Sequence, residues 1–459
     1  MRRYKAYKNC NIPWIKQIPS HWMTKRAKFL YKKEQRPVRE EDSVVTCFRD
    51  GVVTLRKNRR TTGFTEAISE FGYQGIRKGD LVIHVMDAFA GAIGVSDSDG
   101  KGTPVYNVCT AYGDSNNYYY AYALREMARA GFIQSLYRGI RERSSDFRFD
   151  VFERQYLPVP PREEQDQIVR YLDWQVSKIN RLIAVKKRQL SILAEYRKAK
   201  IDEIILHGDK QAPQKDSGIW WLRDIPQSWQ LIPLKRICQV NASISNTAKQ
   251  LSDEELVTFL PMESVSTTGT VDYSEKRRLG DVRSGYSSFA LDDVVIAKIT
   301  PCFENGKGAC LDSMDTDIGY GTTEFINLRA SDRILPRYLY MITMTQPFRK
   351  LGEEMMTGSA GQKRVPIEFV KGFAVGIPPI EEQARLLALL NDVTKRIDCQ
   401  TKSYYESIIS LQELRTRLIS DVVTGQVDVR GIKVPDDEYI NNEITEEEFE
   451  EESENNEEE

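Results

Sequence analysis

The chain has 459 residues, 41% hydrophobic and 29% charged, enough for two to four globular domains with substantial cores. No run approaches the ~20 apolar residues of a membrane span, and the basic start MRRYKAYKNC lacks the apolar stretch of a signal peptide, so a cytoplasmic location and no membrane partner are expected. The net charge of -2 hides an asymmetry: residues 436–459 hold 14 Asp or Glu and no Lys or Arg, leaving 65 basic against 53 acidic residues before them. A basic body suits a polyanionic partner, and the acidic end is predicted to be disordered because it cannot bury enough apolar surface to offset chain entropy.

In chain order, the first signal is IPWIKQIPSHW, Ile12 to Trp22. A mixed globule is predicted after it, with short strands between Gly, Asn and Asp turns; GDLVIHVM, Gly79 to Met86, reads as a buried strand behind an acidic turn. Then VPPREEQDQIVRYLD, Val159 to Asp173, opens a helix. Prolines suit a first helical turn, whose N–H groups lack intrahelical partners, and Glu163-Glu164 favour the positive end of the macrodipole. Apolar residues follow at Leu172, Val176, Ile179, Ile183, Leu190, Leu193, Ile201 and Ile204, largely at 4-3 heptad spacing with polar breaks at Lys186 and Arg197.

The second half repeats these signals. IWWLRDIPQSW, Ile219 to Trp229, matches the first motif at Trp14/Trp221, Pro19/Pro226 and Trp22/Trp229. DDVVIAKI, from Asp292, matches the buried strand, and IPPIEEQARLLALLN, from Ile377, matches the helix opening. Leu390, Ile397, Ile408, Leu411 and Val422 stand 218 positions beyond Leu172, Ile179, Leu190, Leu193 and Ile204. Two matched motifs in one order make an internal repeat. Each predicted helix spans about 40–45 residues, roughly 60–68 Å, and its apolar seam needs a partner. Separate coiled-coil dimers would supply one; an antiparallel pair formed by the two helices needs no long crossover. The expected fold is mixed α+β: two α/β globules at 1–158 and 210–375, joined by two long antiparallel coiled-coil helices at 159–209 and 376–430 with pseudo-twofold repeat, and an acidic tail at 431–459.

Catalytic signals are missing. FAGAIG, from Phe89, places Ile93 where an adenosylmethionine-binding loop needs glycine, and no Asn/Asp-Pro-Pro-aromatic tetrapeptide occurs. NGKGA at Asn305 and GKGT at Gly100 lack the spacing of a phosphate loop. The seven cysteines form no C-x-x-C pair and read as reduced thiols; with only three histidines, no metal site is expected. Basic residues instead cluster in both globules. Arg56, Lys57, Arg59 and Arg60 form one group, and Arg138, Arg141, Arg143 and Arg148 a second. In the second globule lie Lys276, Arg277 and Arg278, then Lys298 and Lys307, then Gln362, Lys363 and Arg364 in TGSAGQKRV. Such side chains neutralise phosphates or read base edges. A coiled-coil scaffold without DNA is the reading from another class, and these clusters argue against it.

The paired IPxxW and PPxxEQ motifs resemble the specificity (S) subunit of type I restriction-modification systems, the HsdS family. So do AGAIGVS from Ala90, ITPCFENGKGA from Ile299, GTTEF from Gly321, TGSAGQKRV from Thr357 and LISDVVTGQVDVR from Leu418. The resemblance covers residues 12 to about 430; the acidic tail departs from it. It implies a subunit that is not an enzyme. Each globule would be a target-recognition domain reading one half of a split, asymmetric site in double-stranded DNA. The helix pair would set their spacing and dock two methyltransferase (M) subunits, joined by two restriction (R) subunits. S-adenosylmethionine, ATP and Mg are expected in those partners, with no cofactor on this chain. A type IIB-like system, with nuclease and methylase fused, would use a similar S chain.

Overall fold

The computed structural model describes residues 2–59, 71–136, 146–208, 212–359 and 361–435. Among the sequence expectations, Arg60, Arg138, Arg141, Arg143 and the acidic run 436–459 lie outside the described residues. Two compact units form: Met1–Lys186 with the chain from Glu406 on, and Lys187–Tyr405. Two long helices, Arg162–Asp202 and Ile380–Val423, each give one section to each unit. Neither contains Pro or Gly, and each has two glutamates in its first turn. No helix among the described residues is long and apolar enough to cross a membrane.

In the first unit a four-stranded antiparallel sheet runs in the order Tyr31–Lys33, Tyr106–Ala111, Leu81–His84, Ile93–Val95. Leu81, Val82 and Ile83 are all buried, so this strand is an apolar run rather than an alternation. Helix Asn117–Arg129 contacts the sheet, its start fixed by the Asn116 side chain, which accepts from Tyr118 N (2.9 Å) and Tyr119 N (3.3 Å). In the second unit the sheet runs Cys238–Val240, Phe325–Ala330, Val294–Ala297, Gly308–Cys310, in the same connectivity, with helix Pro336–Met344 contacting it. A buried aspartate precedes the central strand in both. Asp80 pairs with Arg36, and Asp293 takes Arg329 in two bonds of 2.8 Å. The globules therefore share a sheet that the sequence showed only as one similar strand.

The motifs that repeat form the frame around each sheet. The strand after each IPxxW pairs antiparallel with the strand before each PPxxEQ: Met23–Arg26 with Tyr156–Val159, and Gln230–Pro233 with Ala374–Ile377. The glutamine of each PPxxEQ is buried and does one job twice. Gln165 donates to Pro160 O (2.9 Å) and accepts from Asn116 N (2.9 Å); Gln383 donates to Pro378 O (2.9 Å) and accepts from Leu335 N (2.8 Å). Asn116 and Leu335 each stand just before the helix on the sheet, so this one side chain ties the long helix to the globule.

The far ends of the helices are gripped equally closely. Tyr119 Oη donates to Val423 O (3.1 Å) in the first unit, and Tyr338 Oη to Ile205 O (2.8 Å) in the second; Val423 stands 218 positions beyond Ile205. The first helix continues into a π-helical turn, Glu203–His207, and a glycine with positive φ follows each helix end, Gly425 at φ 74° and Gly208 at φ 58°. A Cβ on Gly425 would lie 2.9 Å from Trp22, and one on Gly208 would lie 2.5 Å from Trp229. Both tryptophans are fully buried. Burying roughly 200 Å² of indole is worth on the order of 5 kcal/mol before entropy, and only glycine permits this approach. Each unit thus holds the start of one long helix and the end of the other.

The units differ in their second layer. The first has two short ladders, Val45–Cys47 with Val53–Leu55 and Gln74–Ile76 with Gly100–Gly102. The second has a further four-stranded sheet, Lys276–Arg278, Leu256–Leu260, Ile318–Gly321, Ser287–Ala290, with its own apolar cores. Along the long helices, Leu172, Ile179, Ile183, Leu390, Ile397, Ile408 and Val422 are buried, while Val176, Leu190, Leu193 and Leu411 are half-buried. Polar contacts share the seam: Arg415 donates to Asn180 (2.8 Å) in the first unit, and Arg197 pairs with Asp398 in the second.

Candidate nucleic-acid interface

In the first unit, Arg56 and Lys57 lie on a single helical turn, Arg56–Asn58, directly after the strand Val53–Leu55. Lys57 is exposed and has no carboxylate within ion-pair distance among the described residues. Arg56 is half-buried and donates to Thr46 (3.3 Å). Arg59, read from the sequence as a phosphate contact, is instead folded inward: its side chain is 7% exposed, 2.6 Å from Asp50 and 4.8 Å from the Phe48 ring centre. Its charge is matched by a neighbouring carboxylate. Arg148 is exposed, with Asp146 at 2.7 Å.

Beside that turn is a cleft of about 560 Å³ that the sequence did not reveal. Arg49, Arg59, Arg125, Arg129, Arg181 and Arg415 line it. Among the described residues three carboxylates pair with these arginines: Asp87 with Arg49 (3.1 Å), Asp50 with Arg59, and Glu126 with Arg129 (2.5 Å). Arg125 and Arg181 have no carboxylate within ion-pair distance among the described residues, so the cleft is net positive. Its arginines come from five separated stretches of chain, and no local pattern could have grouped them.

In the second unit the structure brings Lys298, Lys307 and Gln362–Arg364 to one place. Arg364 bridges to Ile299 and to Thr357, while Thr300 N donates to Lys363 O (3.0 Å) and Ala297 N to Lys307 O (3.0 Å). Gln362, Lys363 and Arg364 are exposed, as an interface loop requires. Arg364 is nevertheless clamped by Glu324 of the GTTEF motif, with Nη2 to Oε1 at 2.8 Å and Nε to Oε2 at 3.0 Å. That bond holds the Glu324 carboxyl below its usual range and raises the guanidinium. Lys363 is the exposed cation of this loop with no carboxylate within ion-pair distance among the described residues.

Lys276–Arg278 lie elsewhere, on the additional sheet, and each has its own acid. Lys276 pairs with Asp315, Arg277 with Glu275 (2.7 Å) and Arg278 with Glu254 (3.1 Å). Arg277 also sits 3.5 Å from the Phe259 ring centre. Spacing alone could not separate Lys276 and Arg278 from Lys57 and Lys363, because Asp315 and Glu254 come from other segments; only Glu275 is a sequence neighbour of its cation.

Among the described residues no group of three His, Cys, Asp or Glu could hold a metal ion. The cysteines are all unbridged, and burial pushes the Cys238 and Cys310 thiols up to about 12, far from a reactive thiolate. The described residues present cationic side chains on two unlike surfaces.

No family model matches the chain. It is 36% identical over 206 residues to the type I restriction enzyme EcoAI specificity subunit of Escherichia coli, and 34% identical over 206 residues to the EcoEI specificity subunit of the same species. Each match covers 44% of this chain and 34% of the relative, so the chain spans about a third of the length of these curated relatives. The type I restriction enzyme MjaVIII specificity subunit of Methanocaldococcus jannaschii is 22% identical over 305 residues, 61% of this chain and 64% of the relative. Among solved structures, a chain from work on complex assembly and conformational transition of the type I R-M system aligns with TM-score 0.66 and 14% identity. It covers 89% of this chain and 99% of that one. The HsdS subunit from Thermoanaerobacter tengcongensis aligns with TM-score 0.52 and 15% identity, over 89% and 98%. These two likenesses concern the fold.

Proposed function

We propose that this chain, which belongs to the HsdS family of type I restriction-modification specificity subunits, is the non-catalytic DNA-reading subunit of such a complex. In this reading each unit recognises one half of a bipartite, asymmetric site in double-stranded DNA. The observation that carries it is the contrast between frame and outer layer. Gln165 and Gln383, and Tyr119 and Tyr338, make equivalent hydrogen bonds, and Trp22 and Trp229 each pack against a glycine, while the second layers of the units have different strands and cations. A frame kept twice with unlike surfaces is what reading two different half-sequences requires. Lys57 with the arginine cleft would serve one half-site, and Lys298 with Gln362–Arg364 the other.

The long helices would act as one antiparallel pair that sets the spacing. From Asn180 to Arg197 the first helix advances 17 positions, and from Arg415 to Asp398 the second retreats by the same 17, which favours a single register. The pair would also dock two methyltransferase subunits. Leu182, Val185, Ile192 and Tyr196 on the first helix, and Tyr405, Ile409 and Leu414 on the second, are large apolar side chains left about half exposed or more. Two restriction subunits would complete the assembly, with S-adenosylmethionine, ATP and Mg held by the partners.

The test is a swap of residues 230–375 for the corresponding globule of another specificity subunit, followed by determination of the methylated site. One half of the target should change and the other stay. A change in both halves would overturn the reading.

A further inference from the structure

A second cavity, of about 940 Å³, lies within the Lys187–Tyr405 unit and is unrelated to the basic loop at Lys363. Asp312 Oδ2 makes no hydrogen bond but lies 2.5 Å from Arg337, and three more of the cavity's polar groups lack any partner among the described residues. Arg349, on helix Gln346–Glu354, is 8% exposed; its Nη1 donates to Phe303 O (2.8 Å) and its Nη2 to Met344 Sδ (3.5 Å), but its Nε has no acceptor. Tyr340, on helix Pro336–Met344, is 6% exposed, and its hydroxyl has no partner. Glu304 Oε2 is buried and unbonded. Both Glu304 and Tyr340 act on Arg349 through space without bonding to it. Desolvation lowers the guanidinium to about 10, so a cation is held out of water without a bonded counter-ion. Met341, Met344 and Leu387 supply an apolar wall.

Buried polar atoms without partners are rare in folded proteins, and three converging on one cavity with an apolar wall is the pattern of a small-molecule site. The charges narrow the ligand. A simple anion would satisfy Arg349 and Tyr340 but face Glu304. A hydrocarbon would leave all three groups unbonded. Asp312 has its charge matched by Arg337 at 2.5 Å, although its Oδ2 makes no hydrogen bond, and Arg197, Lys198, Lys350 and Glu353 also line the cavity. We propose that this cavity binds a zwitterionic ligand, an α-amino acid with an apolar side chain. Its carboxylate accepts from Arg349 Nε and Tyr340 Oη, its ammonium donates to Glu304, and its side chain lies on Met341, Met344 and Leu387. No metal or further cofactor is needed.

Calorimetry and thermal-shift measurements on the full chain test this with L-leucine, L-methionine, L-phenylalanine and L-tryptophan at millimolar concentration. At least one should bind saturably, and its N-acetyl and methyl-ester forms should bind on the order of tenfold more weakly, each having lost one charged contact. Tyr340→Phe removes only an unbonded hydroxyl, so melting should be unchanged or raised while affinity falls roughly three- to tenfold. Glu304→Gln should erase the preference for the free amine over its N-acetyl form. The proposal is overturned if none of the four binds, if the blocked forms bind equally well, or if both variants bind like the parent.

Discussion

The clamp between Glu324 and Arg364 makes a sharp prediction about the second unit's proposed DNA surface. Lys363 has no facing acid among the described residues, whereas Arg364 is neutralised by Glu324. Each phosphate contact contributes a slope of about -0.9 to log K against log salt, so Lys363→Ala should make the slope shallower by about that amount. Between 50 and 200 mM salt a single contact changes affinity by about 3.5-fold, and the parent's advantage over Lys363→Ala should shrink by that factor. Arg364→Ala should cost more than the loss of a neutralised cation would, because it leaves Glu324 uncompensated near the phosphates. Adding Glu324→Gln to Arg364→Ala should then restore most of the lost affinity. The assay is equilibrium binding of the assembled complex to cognate and scrambled duplexes at several salt concentrations. If Lys363→Ala leaves affinity and slope unchanged, the loop is not at the interface. If the double variant stays as weak as Arg364→Ala alone, Arg364 releases Glu324 on binding and contacts DNA itself. The clamp has a pH signature too. The Glu324 carboxyl is held low, so its stabilising contribution is present above the unfolded pKa and is lost as pH falls through the folded one. Loop exchange rates followed by NMR should therefore rise on acidification only below the usual carboxylate range, and Glu324→Gln should abolish that rise.

Glu164→Ala should destabilise the first unit by about 2–5 kcal/mol, because it strands the buried donors Trp22 Nε1 (3.0 Å away) and Tyr4 Oη; Glu164→Gln, which keeps an acceptor, should cost less, and chemical denaturation of both checks the order. Adding one matched heptad to each helix, within 172–193 and 390–411, lengthens the pair by roughly 10 Å, about three base pairs, and turns one half-site by roughly 100°. Binding to duplexes that differ only in spacer length should then favour a longer spacer; a folded variant that keeps full preference for the original spacer would show that the helices do not set the distance.

The repeat was legible in the sequence because its residues are large or conformationally special: tryptophans, prolines and an EQ pair leave recognisable spacing. Leu172, Ile179, Leu390 and Ile397 could be found by period, since burial on a helix recurs every three or four residues. The shared sheet was not legible. Its strands are three to six residues long and the central ones are largely buried on both faces, so any apolar residue serves there and only Leu81–His84 and Val294–Ala297 kept a visible likeness. Cationic chemistry was half legible. The sequence locates Arg59, Lys276 and Arg278, but their acids, Asp50, Asp315 and Glu254, become partners only through the fold, as do the rings of Phe48 under Arg59 and Phe259 under Arg277. The arginine cleft and the cavity around Arg349 gather residues from distant segments, for which a single sequence carries no spacing rule.

The reciprocal grip has a consequence for a shortened chain. The receptor formed by Tyr119 and Trp22 holds the helix end at Val423 and Gly425, and the receptor formed by Tyr338 and Trp229 holds the equivalent end at Ile205 and Gly208. A fragment of residues 1–208 keeps the first receptor and carries the second kind of helix end. Its own receptor is then empty, and its own end, with Ile204, Ile205 and Leu206 buried in the full chain, is uncovered. Two copies can resolve both deficits by exchanging ends, which closes a twofold dimer. Uncovering those three side chains costs about 1.5–3 kcal/mol each, a strong drive toward pairing. Light scattering on the purified fragment should give twice the fragment mass, and Gly208→Val, which places bulk against the tryptophan, should return it to monomer. A fragment that stays monomeric with a cooperative melt at the full chain's temperature would show that the two helix ends are not equivalent, and the internal repeat would then be one of sequence and not of interaction.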